Sequence, residues 1–363
     1  MVRVTVRIPG HPYDVVVGSG VLARAGEHLP SLPGARKAFV LADAGVADRY
    51  YDPLAAGLGA SGLEAVLLTV PAGEGAKTLQ VYETLLHQLA TQEAHRDDPV
   101  VALGGGATGD LAGFVASTYM RGVPFIQVPS TLTAQVDAAI GGKNAVNLPE
   151  GKNLVGTFLQ PRIVLCDVDV LATLSDRDFH SGLAEVAKYA LTLDLDLLSQ
   201  LETDPAPVLA RKSEALGSLV ARCAAAKATA VSRDERDTGA RLILNYGHTL
   251  GHALERLDAF EGRTHGEAIS IGMMFAARLS ELRGLAQPGL SGRTARLLRS
   301  LGLDPGGFLP PVAETIDAFR LDKKYRDGAR FVLLEDVGKP VVVERIPEAE
   351  LVEVLDEMGA KTA

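Results

Sequence analysis

Three histidines and one glutamate concentrate metal-binding chemistry in this chain. The run Asn245–Glu255, NYGHTLGHALE, sets His248 and His252 four residues apart, so on a helix they share a face. His265 heads a further helical stretch, HGEA, and Glu185 in GLAEVAK offers a carboxylate from a third. Two imidazoles and a carboxylate form a common catalytic zinc set that leaves a position open for substrate oxygens. Thr249 follows the first histidine where a zinc protease requires glutamate, which argues against that class. The chain has 8 histidines in all, so the cluster is a concentrated signal. Spacing alone leaves open which two of the three bind.

A second constellation suits a dinucleotide. Val100–Asp110, VVALGGGATGD, is an apolar strand running into glycines and then a helix. Glycines allow a sharp turn and a close backbone approach to a diphosphate, and the helix start presents unpaired N–H groups to it. Gly104, Gly106 and Gly109 satisfy the dinucleotide pattern, but no acidic residue stands about twenty positions downstream for the ribose. Asp43, ending the earlier strand AFVLAD, is the substitute. Two more polar turns follow strands: PAGEGAK, with Glu74 and Lys77, and Pro129–Thr131, with Ser130 and Thr131. Open α/β sheets bind ligands at such strand ends.

Cations gather near both constellations. The segment Asp137–Asn153 reads as a glycine-rich loop holding Asp137, Lys143, Lys152 and Asn153. Arg121, Lys188, Lys227, Arg241 and the pair Lys323–Lys324 lie close to the other motifs. In a chain of net charge −9, convergence of several would define a phosphate- and carboxylate-binding pocket.

The elements that must position these residues change character along the chain. Short β-rich runs at Tyr13–Val17, Ala38–Ala42, Ala65–Val70, Val100–Leu103, Phe125–Val128 and Ile163–Cys166 alternate with helical patterns such as Leu79–Ala90 and Leu111–Met120. That alternation predicts an α/β, Rossmann-like N-terminal domain with a mostly parallel sheet, residues 1–174. Gly182–Leu193, Pro207–Val231 and Ala268–Arg283 carry helical spacing, and β-branched runs return only at Arg330–Leu334 and Pro340–Glu344. A mainly α-helical C-terminal domain is expected over residues 175–363. The length of 363 residues itself favours two domains. No basic block suits nucleic acid, no apolar stretch suits a bilayer, and the start of the chain lacks the pattern of a signal peptide. The 2 cysteines, Cys166 and Cys223, sit in apolar runs and suggest a reducing, cytoplasmic setting.

Taken together, PAGEGAK, ALGGGATGDLAGFVASTYMRG, VPSTLTAQVDAAIGGKNAVN, GKNLVGTF, GLAEVAKYAL, DERDTGARLILNYGHTLGHALE, HGEAISIGM and LDKKYRDGARFVLL resemble the 3-dehydroquinate synthases, within the sugar phosphate cyclases. The resemblance spans nearly the whole chain. It implies Glu185, His248 and His265 as metal ligands, for zinc or cobalt, with His252 facing the substrate or supporting a ligand. It implies Asp43, Glu74, Lys77, Gly105, Gly106, Ala107, Asp110, Ser130, Thr131 and Thr173 around NAD, with Asp137, Lys143 and Lys152 reaching it as well. Substrate would be held by Asp137, Lys143, Lys152, Asn153, Lys188, Lys227, Arg241, Asn245, His252 and one or both of Lys323 and Lys324. Among these, Lys143, Lys188, Lys227, Asn245 and His252 would carry the catalytic work. Arg121 would reach the neighbouring active site of a homodimer. Departures are mild: Ser130 stands where members often have threonine, and Ala107 where a β-branched residue is usual.

The implied substrate is a phosphorylated sugar acid, 3-deoxy-D-arabino-heptulosonate 7-phosphate, converted to 3-dehydroquinate in the shikimate pathway. Transient oxidation, β-elimination of phosphate, re-reduction, ring opening and aldol closure would make the reaction redox-neutral overall. The alternatives are a sister cyclase making inosose or valiolone products, and a metal-dependent polyol dehydrogenase. The latter would accumulate NADH with turnover.

Overall fold

Buried parallel strands need apolar side chains on both faces, and the β-branched runs supply them. In the computed structural model, which describes residues 1–259, 262–320 and 329–361, these runs form the sheet of the first of two compact units. That unit comprises Met1–Leu174 and Arg211–Arg236. Its strands are β1 (Val2–Val6), β2 (Tyr13–Gly18), β3 (Lys37–Asp43), β4 (Glu64–Val70), β5 (Val100–Gly104), β6 (Phe125–Pro129) and, beyond a hairpin, β9 (Ile163–Asp167). Their order is β1-β2-β9-β6-β5-β3-β4. Only β1 runs antiparallel, to β2, while the other neighbours pair in parallel. Every residue of β5, β6 and β9 is buried.

The chain leaves β3 for β4 on one side and returns to β5 on the other. The carboxyl ends of β3 and β5 therefore flank a topological switch point, where open α/β sheets leave a crevice for ligands. Asp43 ends β3, and Gly104 ends β5.

Residues 137–153, expected as a loop, are mostly ordered differently. Ala134–Ala138 makes a π-helical turn, and Lys143–Leu148 (β7) pairs antiparallel with Gly151–Phe158 (β8). The residues that read as loop lie in the turn before β7, where Gly141 and Gly142 have φ 101° and 67°, in the hairpin turn, and at Asn144, which packs against Gly113 of the helix Gly106–Thr118. The expected helix over Pro207–Val231 is interrupted. Ala206–Leu209 and Ser213–Arg233 are separate, and Arg211 between them has φ 52°. Its guanidinium donates to the carbonyls of Ala172, at 3.2 Å, and Leu174, at 2.7 Å. The Ser213–Arg233 helix packs on β1 and β2 and belongs with the first unit, where the sequence reading assigned it to residues 175–363.

The second unit, Ser175–Ala210 with Asp237–Ala363, is mainly helical. Its principal helices are Asp176–Thr192, His248–Leu257, His265–Leu282, Leu290–Ser300, Val312–Arg320 and Glu348–Glu357. One antiparallel pair, β10 (Ala329–Asp336) with β11 (Lys339–Ile346), covers the His265–Leu282 helix. Among the described residues, no helix is long and apolar enough to cross a membrane.

Candidate active site

Three elements of the second unit bring one candidate ligand each to a common point. Ser175 starts the Asp176–Thr192 helix by accepting from the Asp178 amide, and two turns later Glu185 points inward, fully buried. Thr264 and Glu267 form a capping box at the start of the next ligand helix, which fixes the main chain at His265. Gly247 precedes the His248–Leu257 helix with φ 80°, and a side chain at Gly272 would lie 1.9 Å from the Gly247 carbonyl. The two histidine-bearing helices can approach this closely only with glycine at both positions.

The result is a compact trio. Ligand atoms of Glu185, His248 and His265 lie within 4.8 Å of one another. Glu185 Oε1 is 3.3 Å from His248 Nε2 and 3.0 Å from His265 Nε2. Each ring is held from behind: His248 Nδ1 lies 3.1 Å from the Tyr246 carbonyl, and His265 Nδ1 lies 3.4 Å from Glu255 Oε1. An acceptor on Nδ1 leaves Nε2 as the coordinating nitrogen, the arrangement metal-binding histidines use. The donor set of one carboxylate and two imidazoles fits a divalent transition metal.

Electrostatics agree with that fit. Burial would raise the Glu185 carboxyl, but Lys188 and His248 beside it hold it well below the usual carboxylate range. Burial pushes His248 down, towards the neutral form that binds metal. Burial also opposes charge on His265, yet hydrogen bonds to Glu185 and Glu255 carry it up to about 10. Lys188 and the two imidazoles all face the buried carboxylate, and a metal on these atoms would displace any proton held at a coordinating nitrogen.

His252 lies on the same helix face, its ring centroid 5.3 Å from that of His248 and 6.4 Å from that of His265. It supplies no atom to the trio. Together with Asn245, His248, Thr249 and Arg330 it lines a hollow. Asn245 donates to the Leu242 carbonyl at 3.0 Å, Lys188 is ion-paired to Glu185, and Arg241 is buried. Lys323 and Lys324 lie outside the described residues.

In the first unit, Gly105 caps the Gly106–Thr118 helix, so its first N–H groups face away from the helix body. A side chain at Gly105 would come 3.1 Å from Thr131 Cγ2, and the Ser130 amide donates to the Gly104 carbonyl at 2.8 Å. The glycine turn and the β6 turn are therefore neighbours. Ala107 lies in the first turn of the helix. Lys77, almost wholly buried, donates to Asp110 Oδ2 at 2.7 Å and Asn153 Oδ1 at 2.6 Å. Burial pushes the Asp110 carboxyl up, with Lys77 pulling the other way. Asn147, unnoticed in the sequence, joins this group: its Nδ2 donates to Glu74 at 2.8 Å and its Oδ1 accepts from the Asn153 amide at 2.9 Å. Asp43 caps its own helix through Val46 N.

Lys227 bonds both the carboxylate and the carbonyl of Asp137, at 2.8 and 2.6 Å. That contact ties the Ser213–Arg233 helix to the π-helical turn. Lys143 opens β7 and is exposed, and Lys152 is half-buried in β8. Thr173 hydrogen-bonds with the Tyr50 hydroxyl and the Val170 carbonyl, outside the Lys77 group. Arg121 stands exposed at the end of the Tyr119–Arg121 turn with φ 68°.

Comparisons with known proteins bear on both units. The N-terminal model of 3-dehydroquinate synthase matches residues 67–181 and the C-terminal model matches residues 182–325. A 3-dehydroquinate synthase of Geobacter metallireducens is 42% identical over 359 residues, covering 98% of this chain and 99% of that protein. A crystal structure of 2-deoxy-scyllo-inosose synthase complexed with carbaglucose-6-phosphate, NAD+ and Co2+ superposes with a TM-score of 0.88 at 29% identity, covering 98% of this chain and 99% of the other. A 2-epi-5-epi-valiolone synthase from Streptomyces hygroscopicus with NAD+ and Zn2+ gives 0.85 at 29%, covering 95% and 96%. With both halves of the family pattern matched in order, and a relative this similar from end to end, the chain belongs to the 3-dehydroquinate synthase family.

Proposed function

We propose that this chain converts 3-deoxy-D-arabino-heptulosonate 7-phosphate to 3-dehydroquinate and inorganic phosphate, as a lyase that requires NAD and a divalent metal, zinc or cobalt. The observation that carries the reading is the trio of buried Glu185 and His248 with partly exposed His265, each imidazole with an acceptor behind its coordinating nitrogen. Family membership supplies the reaction.

When bound, NAD supplies a reversible hydride acceptor and the metal supplies Lewis-acid polarisation of substrate hydroxyls. The chain's own residues do the rest. Main-chain N–H groups after Gly105 receive the dinucleotide phosphates, with Asp43 and Glu74 positioned for ribose hydroxyls. Lys77 braces Asp110 and Asn153, so the walls of that crevice are held by charge-assisted hydrogen bonds before the cofactor arrives. Glu185, His248 and His265 hold the metal. Lys188, Asn245 and His252 are assigned to substrate oxygens and proton transfer. Arg241 is assigned to the substrate carboxylate, Lys143, Lys152 and Lys227 to phosphate and neighbouring oxygens, and Asp137 and Asn153 to hydroxyls.

The division of labour between a cofactor-binding segment, 1–174, and a metal- and substrate-binding segment, 175–363, belongs to this proposal, with Lys227 contributed to the first unit. So do a cytoplasmic location, a place in aromatic amino acid biosynthesis, and a homodimer in which Arg121 serves the neighbouring site. A panel of sugar phosphates scored for phosphate release tests the substrate. The heptulosonate phosphate is expected to turn over, while glucose 6-phosphate and sedoheptulose 7-phosphate, which lack the carboxylate, are expected to be poor. Preference for either of those would assign the chain to a sister cyclase.

A further inference from the structure

His265 is gripped at both ring nitrogens by carboxylates. Nε2 lies 3.0 Å from Glu185 Oε1, and Nδ1 lies 3.4 Å from Glu255 Oε1. Glu255 contributes no atom to the ligand trio, yet its side chain is only 13% exposed. A carboxylate that far from water needs a partner, and the imidazole N–H is one.

Glu255 reaches this place because of the helix it sits on. The His248–Leu257 helix carries His248, His252 and Glu255 at positions separated by four and then three residues, which puts all three on one face. One helix thus delivers a ligand of its own and a carboxylate behind the ligand of its neighbour. The two histidines differ here. The acceptor behind His248 is the Tyr246 carbonyl, part of the main chain, whereas the acceptor behind His265 is a side chain.

The main chain at His265 is fixed independently. Arg177 donates to both Glu267 oxygens, at 2.9 and 2.8 Å, Glu267 closes the capping box, and the Gly266 amide donates to Ser181 Oγ at 2.9 Å. These contacts place the Cα of His265 but leave rotation of its ring undetermined. We propose that Glu255 is a positioning residue of the metal centre, which sets the tautomer and rotation of the His265 ring so that Nε2 faces Glu185. The inference rests on the reading of Glu185, His248 and His265 as metal ligands. A carboxylate on the far nitrogen also makes the imidazole a stronger donor, and removing such a partner typically weakens metal binding by about 10- to 100-fold.

The test uses the full chain stripped of metal by chelator. Parent, Glu255→Ala and Glu255→Gln proteins are titrated with Zn2+ against a chromogenic chelator, and with Co2+ by visible absorption. Glu255→Ala is expected to bind about 10- to 100-fold more weakly, with an altered Co2+ spectrum. Glu255→Gln, which retains an acceptor oxygen, is expected to fall between the two. Affinity of Glu255→Ala within twofold of the parent, with the same spectrum, overturns the inference. So does a lowered melting temperature of the metal-free protein with unchanged metal affinity, the mark of a merely structural residue. Should Glu255→Ala fail to fold, unchanged affinity in Glu255→Gln overturns it equally. Failure of the parent itself to bind either metal would remove the ligand reading, and this inference with it.

Discussion

Around Gly105 the first unit offers main-chain N–H groups in a turn kept open by the lack of a side chain, whereas around Glu185 the second unit offers side-chain donors packed to the point of contact. In the first region charged side chains serve as bracing: Lys77 is spent on Asp110 and Asn153. In the second they are the proposed binding atoms, backed by the Tyr246 carbonyl, Glu255 and the close approach of two helices. A site made of backbone tolerates change in nearby side chains but not in shape. A site made of side chains tolerates neither loss of a donor nor any widening of the helix contact.

Substitutions should separate the two regions in that order. Glu185→Ala is expected to have the largest effect. It removes a ligand and leaves the Lys188 ammonium buried without its carboxylate, so bound metal and activity should disappear and stability fall by about 3–5 kcal/mol. Metal analysis and denaturant unfolding check this, and metal retained at one per chain would break the contrast. Gly272→Ala comes next. Its new methyl meets the Gly247 carbonyl, and the helices must part, at a cost of about 1–3 kcal/mol with weakened metal binding.

In the glycine turn, Gly105→Ala requires Thr131 to yield by only a few tenths of an ångström, so the melting temperature should barely move. NAD affinity should drop by roughly tenfold, since the added methyl obstructs the helix N-terminus, where anion binding is worth about 1–2 kcal/mol. Fluorescence titration with NADH measures it, and a large stability loss with intact affinity would invert the assignment. The smallest effect is expected away from both regions, at the part-exposed pair Arg293–Glu202. Glu202→Gln should cost under about 1 kcal/mol. Its hydrogen bond to Arg293 holds the Glu202 carboxyl below its ordinary range in the folded chain. The contribution is therefore present above the unfolded-state value and lost as pH falls through the folded one, so variant and parent should converge in acid.

How much of this was legible in the sequence follows the same contrast. The five inner strands announce themselves because two-sided burial demands unbroken apolar runs, and they and the edge strand β4 were each expected to within a residue or two. The β7–β8 hairpin was not, because its Asn, Gly and Pro residues signal loop while its pairing depends on packing against a distant helix. The grouping of Ser213–Arg233 with the first unit was hidden too. Nothing in a helical period says which sheet a helix will cover; its packing on β1 and β2 and the Lys227–Asp137 contact reveal it. At the candidate metal centre, residue type pointed to Glu185 and three histidines, and the choice of His248 and His265 came only from the family resemblance. Asn147 and Glu255 were passed over, although Glu255 stood in the same run as His248 at helical spacing, which was the available signal.

The central claim is that a hydride carrier and a divalent metal serve a reaction with no net redox change. Purified protein supplied with the heptulosonate phosphate, a trace of NAD+ and Zn2+ should form phosphate and 3-dehydroquinate in equal amounts, far in excess of the NAD+ present and without accumulating NADH. NADH rising in step with turnover, or phosphate released without dehydroquinate, would contradict the account.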